Sequence, residues 1–144
     1  MSAPQLAALM IFERNGEILL LRRSQTAKYA AGLYTLPSGR VEENESMTVA
    51  AMREALEEVG LTAAPQSVIS AHVLHRKKED EVWIDGFFCC TKWSGIEQNK
   101  EPEKCDDVSW FPINKLPENI IPFVREVLKR IFKEKLSYSE YGWL

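Results

Sequence analysis

The stretch Gly39–Leu61, GRVEENESMTVAAMREALEEVGL, leaves a chain few ways to fold around it, because it sets Gly39, Glu45, Arg53, Glu54, Glu57, Glu58 and Gly60 close together. Read as a helix over Ser46–Val59 at about 100° per residue, it gathers Glu54, Glu57 and Glu58 within an arc of about 100°. Val49, Met52, Ala55, Leu56 and Val59 fall opposite, so the pattern predicts one packed face and one carboxylate face turned away from it. Carboxylates crowded this closely repel one another unless a cation sits among them, and oxygen-only ligands suit a hard ion such as Mg²⁺ or Mn²⁺. The competing reading is a solvated acidic face with Arg53 paired to Glu57 one turn on. The flanks frame the helix. Leu36-Pro37-Ser38-Gly39 reads as a strand end running into a tight turn, Ser46 is an N-cap without a capping-box partner, and Gly60 suits a left-handed C-cap.

The remaining sequence supplies strands on either side. Leu6–Phe12 and Glu17–Arg22 read as a hairpin about Asn15-Gly16, and Thr26–Gly32 as a connection to a short strand at Leu33–Leu36. After the acidic helix, Ser67–Arg76 and Val82–Trp93 read as strands joined at Lys77–Glu81, and Val108–Phe111 as a last short strand. Asn119–Lys135 returns to helical spacing, with Phe123, Val124, Val127, Leu128, Ile131 and Phe132 on one face and Pro122 near the first turn. The expected class is therefore α/β (α+β), with helices covering a mixed β-sheet.

At 144 residues with 45% hydrophobic content, the chain is expected to form one domain over 1–144. A formal net charge of −3 argues against a broad surface for long nucleic acid, so anionic partners must be met locally. No apolar run reaches membrane-spanning length and MSAPQLAALMIF lacks a basic leader, giving an expectation of a cytoplasmic protein without membrane contact. Cys89, Cys90 and Cys105 lack metal-ligand spacing and read as reduced. His72 and His75 lie three apart in a strand, on opposite faces, which disfavours a paired zinc site.

The spacing of Gly39, Glu45, Arg53-Glu54-Ala55, Glu57-Glu58 and Gly60-Leu61 resembles the Nudix box of the Nudix hydrolases, departing only at Ala55, where a larger aliphatic residue is usual, and at Asn44. The resemblance implies an α/β/α sandwich and a Mg²⁺- or Mn²⁺-dependent pyrophosphohydrolase. It implies metal ligation by Gly39 through its carbonyl and by Glu54, Glu57 and Glu58, with Glu54 or Glu57 handling the nucleophilic water. Arg53 would hold a carboxylate in place and Glu45 would support the loop. Arg23 and Arg40 stand where members of the MutT-like branch carry phosphate-binding residues. The segment Asn99–Cys105 looks like one that contributes an extra-box glutamate, which makes Glu101 a further metal ligand, with Glu103 behind it.

His75, Trp83 and Trp110 are the candidates for holding a nucleobase, since an aromatic face stacks on any base. The implied substrate is a small nucleotide, an ordinary or damaged (d)NTP cleaved to NMP and pyrophosphate, which is the chemistry of nucleotide pool sanitation. ADP-ribose, NADH, dinucleoside polyphosphates or capped RNA, or a non-catalytic nucleotide sensor, are the alternatives. The assembly is expected to be a monomer or homodimer.

Overall fold

The computed structural model describes residues 3–144. Its first strand, β1 (Gln5–Arg14), turns through Asn15-Gly16 into β2 (Glu17–Arg23). Both turn residues have positive φ, 51° and 76°, which is the two-residue turn that matches strand twist. The strands then part after the pairs Glu13–Ile18 and Arg14–Glu17. Beyond the turn, β1 joins a sheet in which it runs parallel to β7 (Glu81–Cys90) and antiparallel to β4 (Ser38–Arg40). On the other side of the split, β2 pairs with β3 (Tyr34–Thr35) and β9 (Cys105–Pro112).

The larger sheet continues from β7 to β6 (Val68–Lys78) and ends with β10 (Tyr138–Tyr141), which runs parallel to β6. Two short strands, β5 (Thr62–Ala63) and β8 (Trp93–Ser94), form a separate ribbon. Helix α1 (Met47–Val59) covers one face, where Ala50, Ala51, Ala55 and Val59 meet Ala8, Met10, Phe12 and Phe88. Helix α2 (Pro122–Phe132) covers the other, with Val124, Val127 and Leu128 against Leu9, Ile11, Leu74 and Phe87. This is the α/β/α sandwich that the resemblance implies, built on a mixed sheet.

Several sequence expectations are corrected. Ser38–Arg40 is not the turn itself but an edge strand, because its backbone completes the free side of β1. The run expected to reach Trp93 breaks at Cys90, and Trp93 pairs with Ala63 instead. Val108–Phe111 is part of the longer β9 and is not the final strand, since β10 follows α2. The second helix is shorter than Asn119–Lys135, as Ile120 bridges to Tyr34 and Pro122 begins the helix. Among the described residues no helix is long and apolar enough to cross a membrane.

The orientation of α1 also differs from its hydrophobic pattern. Val49 and Leu56, expected in the core, are about half exposed at 52% and 47%. The small side chains of Ala50, Ala51 and Ala55 bring the helix close to the sheet, and Glu54 and Glu58 share that inward side. Glu54 and Glu58 therefore lie beside the packed face and not opposite it, whereas Glu57 stays on the solvent side.

Candidate active site

Helix α1 is fixed at both ends by local chemistry. The Ser46 side chain accepts the Val49 amide at 3.2 Å, and Gly60 closes the helix at φ 75° with its amide donating to Leu56. Between them Arg53 acts as a hub. Its guanidinium donates to both Glu45 oxygens at 2.6 and 2.9 Å, to Glu54 Oε1 at 2.8 Å and to the Arg40 carbonyl at 3.2 Å. Glu42 and Glu57 each stand 3.5 Å from Nη1. The Arg53 hydrogen bonds, joined by the Glu42 amide, pull the Glu45 carboxyl down to about 2. Arg53 itself is held more firmly protonated by Glu45.

Glu54 and Glu58 lie on the inner side, where desolvation pushes both carboxyls up, Glu58 strongly. Glu58 accepts the Ser38 amide at 2.8 Å, and Glu54 packs against Gly39 so closely that a Cβ there would overlap its carboxylate. Glu57 projects into solvent, with 51% of its side chain exposed. The loop before β9 docks on the C-terminal end of α1, the Gln98 and Lys100 amides donating to the carbonyls of Val59 and Glu58. That docking brings Glu101 into the electrostatic field of Glu54 and Glu58.

No group of three or more His, Cys, Asp or Glu side chains among the described residues is already arranged around a metal position. The donor set nevertheless fits a hard divalent ion, since Glu58 is a desolvated carboxylate whose neighbours Glu54 and Glu101 both repel its charge.

Gly39→Ala is expected to test this packing directly. The clash falls on the end of a flexible side chain, so the fold should survive while Glu54 is displaced, with kcat/KM falling about 100-fold. An unchanged kcat/KM with an intact circular dichroism spectrum would show that Glu54 does not need this position.

On the α2 side of the same strands lies a cleft of ≈ 250 Å³, lined in part by Arg23, Tyr29, Gly39, Arg40, Trp83 and Phe123. Strand register explains its make-up. Arg40 pairs across Ala7, which in turn pairs with Asp85, so alternate side chains of β4 and β7 share one face. Arg40 lies 5.2 Å from the Trp83 ring centre and Arg23 donates to the Tyr29 carbonyl at 2.6 Å. Arg23 also lines a second cavity of ≈ 460 Å³ with Glu58, Glu101, Glu103 and Lys104, so one guanidinium joins the cationic cleft to the carboxylates.

Two base-binding candidates lie elsewhere. Trp110 stacks on Trp93 at 5.8 Å beneath Arg14 and donates to Glu97, while the His75 ring lies 4.5 Å from that of Trp143, tilted by 51°; neither lines the cleft. The cleft instead contains residues that the sequence did not mark as site candidates. Arg76 and Asp85 form a bidentate pair at 2.7 and 3.1 Å, and Tyr29, Lys78 and Phe123 complete the walls. The alternation of Arg76 and Lys78 in a strand was the available signal, since it puts both on one face.

Comparison with known proteins agrees with the fold. Residues 1–131 match the NUDIX domain family. The chain is 25% identical over 145 residues to an RNA pyrophosphohydrolase of Acidiphilium cryptum, covering 90% of this chain and 88% of that protein. It is 31% identical over 116 residues to the NAD-capped RNA hydrolase NudC of Stutzerimonas stutzeri, covering 76% of this chain and 37% of NudC. Among solved structures, the MutT NUDIX hydrolase of Burkholderia pseudomallei superposes with a TM-score of 0.81 at 26% identity, covering 90% of this chain and 99% of that one.

Proposed function

The chain belongs to the Nudix hydrolase family, and from that premise we infer that it is a divalent-metal-dependent pyrophosphohydrolase acting on ordinary or damaged (d)NTPs. The observation that carries this reading is the desolvated pair Glu54 and Glu58 beside the Gly39 backbone, joined through Arg23 to a cleft lined by Arg40 and Trp83. A self-repelling carboxylate pair costs stability, which a protein that only held nucleotides would have no reason to keep.

Glu54, Glu57, Glu58, Glu101 and the Gly39 carbonyl would hold the ion. When bound, it neutralises phosphate oxygens and makes water a better nucleophile at neutral pH. Arg23 and Arg40 would orient the phosphates, and Trp83 would stack on the base. Water attacks phosphorus while the bond to the bridging oxygen breaks, and pyrophosphate leaves with the electron pair. The water proton passes to Glu54 or Glu57. Arg53 keeps Glu54 aimed, being itself fixed by both oxygens of Glu45. Residues 1–144 would form one domain around this site.

The test is a panel of ordinary, oxidised and methylated (d)NTPs, ADP-ribose, NADH and diadenosine polyphosphates, each incubated with Mg²⁺ and with EDTA. Monophosphate and pyrophosphate from a triphosphate, formed only with Mg²⁺, are the expected products. Nucleotide binding without turnover across the panel would favour a sensor. In the same assay Glu57→Gln should lower kcat about 100-fold with little change in thermal midpoint, because its side chain is half exposed and outside the core. Wild-type turnover in that variant would remove Glu57 from the mechanism.

A further inference from the structure

Trp110 lies outside the cleft, yet its indole is tied to the loop that reaches the carboxylates. It stands on β9, paired with Leu19 of β2, and its ring has Trp93 5.8 Å away at an angle of 22° and the Arg14 guanidinium 4.0 Å from its centre. Trp93 in turn meets the fully buried Phe12 edge to face at 5.2 Å. This stack fixes the plane of the indole, and with it the direction of its one N–H. The N–H donates to Glu97 Oε2 at 2.9 Å, and Arg14 Nη2 stands 4.0 Å from the same oxygen. The Trp110 bond holds the Glu97 carboxyl below its ordinary range, so the acceptor is ionised and the bond is charge-assisted.

Glu97 opens the stretch that carries Glu101. From it the backbone runs along the last turn of α1, where the Gln98 amide donates to the Val59 carbonyl at 3.0 Å and the Lys100 amide to the Glu58 carbonyl at 3.1 Å. These are acceptors that a helix end leaves free. Asn99 closes the turn, accepting the Glu101 amide at 3.0 Å and donating to the Cys105 carbonyl at 2.6 Å. Glu101 thereby reaches the wall of the ≈ 460 Å³ cavity that Glu58 also lines.

The first half of this loop has little else to hold it. Ser94, Gly95, Ile96 and Gln98 are exposed, and between Trp93 and Asn99 the bond to Trp110 is the one side-chain hydrogen bond among the described residues. Glu101 and Glu58 also repel each other, which drives the loop away from α1. The Glu97 anchor opposes that push from the side of the sheet.

We propose that Glu97 and Trp110 are positioning residues for the metal site, their hydrogen bond holding the loop so that Glu101 joins Glu54 and Glu58 around a divalent ion. The aromatic stack is then a brace for the ion and not a platform for a base. This rests on the reading of Glu101 as a metal ligand and adds the residues through which that ligand is aimed.

The test is titration of the full chain with Mn²⁺, the free ion being read by electron paramagnetic resonance. Trp110→Phe keeps a ring in the stack and removes only the N–H, and Glu97→Ala removes the acceptor. Each should weaken Mn²⁺ binding about tenfold, the lower end of what residues that orient a metal ligand contribute. Glu97→Gln leaves an oxygen to accept the indole N–H and should stay within about twofold of wild type. Glu101→Gln should weaken Mn²⁺ as well, and adding Glu97→Ala to it should cost nothing further, since the second residue acts through the first. If Trp110→Phe does not fold, Glu97→Ala carries the test. A brace for the fold alone would lower the thermal midpoint and leave Mn²⁺ affinity unchanged, which would overturn the proposal. So would a Glu97→Gln chain as weak as Glu97→Ala, a further loss from Glu97→Ala in the Glu101→Gln background, wild-type affinity in Glu101→Gln, or no Mn²⁺ binding by the wild type. Failure of the hydrolase reading appears separately, as absence of product in the Mg²⁺ panel while these Mn²⁺ affinities keep their contrast.

Discussion

Glu58→Gln should cut kcat by about a thousandfold and at the same time raise the thermal midpoint of the metal-free protein. The catalytic loss follows from removing the most desolvated carboxylate of the proposed metal set, within the range that positioned acid–base and metal groups supply. The gain in stability follows from linkage. Burial raises the folded-state carboxyl of Glu58 well above 4.5, so its favourable contribution is fully present below about 4.5 and is lost as pH rises through the folded value. Glu54 acts in the same direction. In EDTA the wild-type midpoint should therefore fall as pH rises above the ordinary carboxylate range, and Glu58→Gln should flatten that slope. Glu45 has the opposite sign, since its carboxyl at about 2 adds stability that is lost only as pH falls from 4.5 toward 2. Midpoints measured in EDTA across this pH range decide the matter. A Glu58→Gln protein that is less stable than wild type in EDTA would mean that the Ser38 amide bond outweighs the repulsion.

Asp85→Ala is expected to be the most destabilising single change in the cleft, by about 3–5 kcal/mol. Asp85 is fully buried, and the Arg76 side chain that it holds is only 11% exposed, so removing the acid strands a guanidinium between Trp83 and Phe123. Burial nevertheless pushes the Asp85 carboxyl up in spite of Arg76, which shows that desolvation outweighs the attraction within the pair. Replacing both partners, as in Arg76→Met with Asp85→Leu, should then recover most of the lost stability while weakening nucleotide binding. Chemical denaturation of the single and double variants is the measurement, and a single-variant loss below about 1 kcal/mol would show that Arg76 escapes to water.

What the sequence made legible was local. The caps at Ser46 and Gly60, the Asn15-Gly16 turn and the amphipathic spacing of α2 each depend on neighbours a few residues apart. The inward side of α1 was misread because counting apolar residues favours Val49 and Leu56, whereas closeness to the sheet is set by Ala50, Ala51 and Ala55. Strand β10 was missed because Tyr-Ser-Glu-Tyr carries no apolar alternation. Its anchor is polar, with Ser139 buried against His72 Nε2 at 2.8 Å and the Leu136 carbonyl against Nδ1 at 2.9 Å. Arg76, Asp85 and Phe123 meet only through strand register and helix docking, which no short motif encodes. Three of the acidic ligand candidates, Glu54, Glu57 and Glu58, by contrast, crowd one helix and were visible as a motif before any fold was known.

The parallel pairing of β1 with β7 has a consequence in time as well as in space. Gln5 meets Trp83 and Phe12 meets Cys90, so the central seam of the sheet joins segments far apart along the chain. The Asn15-Gly16 hairpin can form within microseconds, but it fixes only two residue pairs before its strands diverge. The closure entropy of the long intervening loop must be met before the seam yields any return. Refolding followed by tryptophan fluorescence in a stopped-flow instrument should accordingly proceed in milliseconds to seconds, and a nascent chain shorter than Cys90 cannot complete the surface on which a nucleotide would rest.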